Sequence, residues 1–140
     1  MKLLSFILLF VSCSCFALSS EEFDKQYQNL NGELNKAVIN NMIYSKDYDD
    51  KKIPLSEKIE SKSKWCDLTK TRINLLDFVI QNFSSYKEWV KKNSLDDDSS
   101  LDDFNKFYEN QQKSYIGCMA GLEELKMGQK IDKIRKTKLT

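Results

Sequence analysis

From Phe23 onward an apolar side chain returns to one face of the chain every third or fourth residue, and little in the sequence can stop a helix. The first run is Phe23, Tyr27, Leu30, Leu34, Val38 and Met42. That interval is the helical period, not the alternation of a strand. Only one proline and four glycines occur in 140 residues, so the sharp turns that an antiparallel sheet needs are missing. Ser19 with Glu22 three positions later forms a capping-box pattern, and Leu18 can staple onto Phe23 across it. The first helix is therefore predicted from Ser20 to Ile43. Tyr44 to Ile53, with Asp47, Asp49, Asp50, Lys51 and Lys52, has no period and reads as a solvated connection.

Pro54 fits the first turn of a second helix, where a missing N–H costs nothing. Leu55, Ile59, Cys66, Ile73, Leu76, Ile80 and Phe83 continue the apolar stripe. A second line through Trp65, Leu68, Arg72, Leu75 and Val79 widens that face and makes this the central helix. Ser85 with Glu88 repeats the capping pattern and predicts a short helix carrying Tyr86, Trp89 and Val90, folded back on the long one. An acidic stretch, Leu95 to Asp103, leads into a last helix with Leu101, Phe104, Tyr108, Tyr115, Cys118, Leu122 and Leu125 at helical spacing. Residues 129–140 are basic, lose the period and are predicted to fray. The expected architecture is all-α: a small bundle of three to four helices over residues 18–128, with one disulfide.

Before that domain, Met1-Lys2 precedes an apolar run from Leu3 to Val11 and then small residues up to Ala17. One positive charge, a run too short to span a bilayer and small side chains at Cys15 and Ala17 match a secretory signal peptide over residues 1–17. The expected location is secreted or periplasmic, with no transmembrane segment once the signal is removed. Val11-Ser12-Cys13 also resembles a lipobox, although Phe10 stands where a leucine is expected, so lipidation of Cys13 is an alternative to its removal. Loss of the signal takes Cys13 and Cys15 and leaves Cys66 and Cys118. Two cysteines in an oxidising compartment are expected to pair. The bond would clamp the second helix to the last, because both cysteines lie on apolar stripes; two buried thiols are the alternative.

Charge and missing side chains narrow the function. The chain has 22 basic and 21 acidic side chains, a balance that offers no basic face to nucleic acid. It has no histidine, which removes Ser-His and Cys-His nucleophiles and histidine metal sites. Gly32, Gly117, Gly121 and Gly128 are scattered on helical segments and build no phosphate loop. No enzyme activity, cofactor or metal is expected. Asp96, Asp98 and Ser100 alternate like the first ligands of a calcium loop, but Leu101 replaces the required glycine and Phe107 the closing glutamate. Asp96, Asp97, Asp98, Asp102 and Asp103 are either a solvated loop or a landing site for a cationic partner. Asn82-Phe83-Ser84 is a glycosylation sequon. Trp65, Trp89, Tyr108 and Tyr115 could line a ligand pocket, although aromatics at helical spacing more often build core.

Three segments resemble the family of small exported proteins typified by the mycobacterial lysozyme inhibitor LprI. Tyr27 to Asn31 with Leu34-Asn35 is similar to that family's first helix, Leu55 to Trp65 to its second, and Tyr115 to Leu125 to its closing cysteine helix. The family's aromatic-Arg-Asp-x-x-Cys signature is replaced by Leu68-Thr69-Lys70, and Cys66 stands directly after Trp65. The resemblance implies a non-catalytic binding domain that presents a loop to the cleft of a cationic, lysozyme-like glycosidase. A secreted carrier of a small apolar ligand and a secreted immunity or effector protein are the other two expectations.

Overall fold

A computed structural model describes residues 18–45 and 51–137; the predicted signal, Cys13 included, lies outside them. The described residues form four helices in order: α1 (Ser20–Tyr44), α2 (Leu55–Gln81), α3 (Phe83–Lys92) and α4 (Leu101–Thr137). Among the described residues there is no strand. The architecture is the expected all-α bundle.

α1 starts where its cap dictates. Ser19 and Glu22 close the box in both directions, and Leu18 packs against the cluster around Phe23. Pro54 stands one residue before the first turn expected for it, as the N-cap of α2. Lacking an N–H, it donates nothing, while its carbonyl accepts from the amides of Glu57 and Lys58.

α2 is the spine: α1 and α4 both pack along it, and α3 touches α1 and α2. Two separate apolar clusters hold this arrangement. At one end Phe23, Val79, Tyr86 and Val90 are buried, with Tyr27, Phe78, Trp89 and Phe104 packed around them. Along α2 and α4, Cys66, Cys118 and Leu122 form the second, flanked by Ile59, Tyr115 and Met119. Cys66 and Cys118 are joined by a disulfide with Cα atoms 5.6 Å apart, so the central helix is pinned to the last.

Two boundaries depart from prediction. The Ser85–Glu88 box does not form: α3 begins at Phe83, with Asn82 as an N-cap that makes no side-chain capping bond. Asn82 is the single residue between α2 and α3; its N–H donates to Phe78 O and its carbonyl accepts from Tyr86 N. With the turn that tight, Ser85 falls inside the helix. The last helix does not end at residue 128 but continues to Thr137. Loss of an apolar period removes a packing face, not backbone propensity, and no proline or further glycine follows Gly128. Ile131 and Ile134 accordingly sit on helix with half or more of their surface in solvent.

Candidate functional site

The acidic stretch is an ordered loop whose shape is set by α3. At the end of α3, Ser94 adopts the left-handed conformation (φ 53°). There its N–H donates to Lys91 O and that of Leu95 to Val90 O, a Schellman-type stop in which glycine would be the ordinary choice. The next residues are tied back onto the helix just completed. The Tyr86 hydroxyl donates to the Asp97 carboxylate. Lys87 Nζ donates to the carbonyls of Asp97 (2.7 Å) and Ser99 (3.1 Å). Ser99 N–H donates to Asp97 Oδ1 at 2.9 Å.

The loop then enters α4 through a reciprocal cap. Ser100 N–H donates to Asp103 Oδ2 (3.0 Å) and Asp103 N–H to Ser100 Oγ (3.2 Å). This Ser-x-x-Asp pair satisfies first-turn donors, and its carboxylate faces the positive helix end. Asp102 pairs with Lys106 at 2.7 Å, with both side chains mostly in water, so that contact contributes little.

The five predicted aspartates therefore divide. Asp97 and Asp103 hold the loop, Asp102 is weakly paired, and Asp96 and Asp98 are exposed. Electrostatics follow the same division. Hydrogen bonds from Tyr86 first, then Ser99, hold the Asp97 carboxyl below its ordinary value; those from Ser100 do the same for Asp103. Burial first, then the bond to Asp97, pushes the Tyr86 phenol up.

α3 is anchored to α1 by a second carboxylate: Trp89 Nε1 donates to Asp24 Oδ1 at 2.6 Å, a bond that lowers the Asp24 titration. Neither Tyr86–Asp97 nor Trp89–Asp24 is anticipated from the sequence. A Tyr-Lys pair ten to twelve residues before an acidic turn was an available signal for the first; for the second, 65 residues apart, there was none.

The Tyr86–Asp97 bond has a measurable consequence. Tyr86→Phe should cost about 1 kcal/mol of stability at neutral pH, the ordinary worth of such a hydrogen bond. Because the folded-state Asp97 carboxyl titrates below its ordinary 3.8, its contribution is complete above that value and is lost as pH falls through the lower folded one. Urea unfolding of both proteins at pH 7 and pH 3 should show the difference shrinking in acid. A difference independent of pH would mean that Asp97 does not hold the loop.

The other predicted site residues do not gather. Asn82 is half-buried, its Nδ2 donating to Phe78 O at 2.9 Å. Trp65 is exposed on α2 and Trp89 belongs to the α1–α3 cluster. Tyr108 and Tyr115 alone share a shallow hollow, with Lys70, Ile73, Gln112 and Ile116. Among the described residues the four aromatics are therefore spread over separate places. Among the described residues no three Cys, Asp or Glu side chains are grouped to hold a metal ion, and no helix is long and apolar enough to cross a membrane. Comparison of the chain with protein families, curated proteins and solved structures finds no match.

Proposed function

We propose that the protein is an exported, non-catalytic binding protein whose acidic loop, residues 95–103, seats a cationic protein partner. The observation that supports this most is the preordering of the loop. Tyr86 and Lys87 fix Asp97 and Ser99, the Ser100–Asp103 cap fixes the exit, and Asp96 and Asp98 are left exposed. A loop already held in one shape gives up less conformational freedom on binding. Clustered carboxylates also speed encounter with a basic surface. Export is read from residues 1–17, and a lysozyme-like glycosidase as the partner class from the resemblance to the LprI-type family.

The test separates the carboxylates that hold the loop from those free to bind. Asp96→Asn, Asp98→Asn and Asp102→Asn combined keep Tyr86–Asp97 and Ser100–Asp103. Titrated against a basic lysozyme, the triple variant should bind at least tenfold more weakly and with a flatter salt dependence. Equal affinity and equal salt slope in wild type and variant would remove the loop from the interface; no binding by wild type would remove lysozyme as the partner.

A further inference from the structure

Around α2 the helices leave one side open. α1 and α4 both pack on α2, and between them runs a groove of ≈ 410 Å³ lined by Leu34 of α1, Arg72, Leu75 and Leu76 of α2, and Phe107 and Gln111 of α4. Phe107 is 64% exposed although three leucines, Leu34, Leu75 and Leu76, line the groove with it. A second hollow of ≈ 270 Å³ shares Leu76 and Phe107 and continues toward Phe104, Ser99 and Asp103. Sharing the wall formed by Leu76 and Phe107, the two are read together as one trough, with Arg72 lining the first hollow and Asp103 the second.

Arg72 is the unusual group in it. Its side chain is half-buried, and among the described residues it makes no hydrogen bond or ion pair. A guanidinium beside leucines and a phenylalanine, with no carboxylate of its own, complements an anion brought in by a ligand. It presents a planar fork that matches a carboxylate in bidentate fashion. The opposite end holds the Asp103 carboxylate, already engaged by Ser100, which repels a second anionic head.

We infer that this trough binds a single-chain fatty carboxylate, its head on Arg72 and Gln111 and its chain running over Leu76 and Phe107 toward Phe104. The volume is that of a small-molecule site. A protein helix, about 10 Å across with its side chains, needs a longer and wider channel. The trough shares Ser99 and Asp103 with the acidic loop but includes neither Asp96 nor Asp98, so decanoate binding and lysozyme binding can fail separately.

Calorimetric titration of the purified protein with decanoate below its micellar concentration, with decanol and decyltrimethylammonium as controls, tests the inference. Decanoate should saturate at one per chain and bind at least tenfold more tightly than either control. Affinity from octanoate to dodecanoate should rise by up to about fourfold per methylene until the trough is full. Arg72→Gln should weaken decanoate at least tenfold and leave decanol unchanged; Phe107→Ser, at an exposed position, should weaken both. Circular-dichroism melts establish that each variant is folded. Absence of saturation, equal binding of decanol, or an Arg72→Gln protein that holds decanoate as wild type does would overturn the inference. So would a concentration-dependent dimer that Phe107→Ser abolishes in a protein that ignores decanoate, which would give the trough to a second copy.

Discussion

Replacing Cys66 and Cys118 together by alanine should lower stability by about 4 kcal/mol, enough to take roughly a third or more of what a domain this size has to lose. The two cysteines lie 52 residues apart, and in the chain-entropy account a loop of that length, once opened, returns about that much free energy to the unfolded state. Both sulfurs are buried, so the double alanine is preferable to a single change, which would leave one buried thiol beside a gap. The urea midpoint should fall by roughly 2 M. Wild type treated with reductant should behave like the variant. A loss below about 1 kcal/mol would show that the denatured chain is already restricted without the bond, contrary to an entropic origin. The disulfide cluster is separate from the cluster around Phe23, so the reduced protein, while still folded at neutral pH, should keep the Tyr86–Asp97 bond.

What the sequence discloses and what it conceals divide along the range of the forces involved. The period of three and four places α1 within one residue of its observed end, because the helical repeat is a local property of the chain. Ser19–Glu22 and Pro54 act within one turn and are equally legible. The Cys66–Cys118 bond is legible as the pairing of the two cysteines beyond the predicted signal, in the oxidising compartment that such a signal implies. Local signals of equal appearance are not equally used, however: Ser85–Glu88 lies inside α3, whereas Ser100–Asp103 caps α4. Choosing between them depends on the one-residue turn at Asn82, which is set by how α3 packs, not by either motif. Asp24 and Trp89 are 65 residues apart, and no pattern in either segment calls for the other. Arg72 fell on an apolar line at helical spacing and read as part of a packing face. Its stem does lie among apolar side chains, and only the open space between α1 and α4 gives the guanidinium its meaning.

Phe23→Ala should be the most damaging single truncation, costing about 3 to 5 kcal/mol. Phe23 is fully buried and sits in the first turn of α1, where its ring stacks on Phe78 at 5.2 Å and on Tyr27 at 5.7 Å between centroids. Val79 of α2 and Tyr86 and Val90 of α3 complete the cluster, so one side chain joins three helices. α3 has ten residues, too few to persist as a helix without tertiary support. Its docking onto Phe23 therefore sustains the helix that in turn holds the acidic loop. Hydrogen exchange of Phe23→Ala should show α3 and residues 95–100 opening first, while α2 and α4 around the disulfide keep their protection. Phe23→Leu, which refills much of the space, should recover most of the loss. Uniform loss of protection across all four helices would mean that the two clusters unfold as one, and a cost under 1 kcal/mol would mean that the α3 end of the bundle is held by the Trp89–Asp24 and Tyr86–Asp97 bonds instead of by apolar burial.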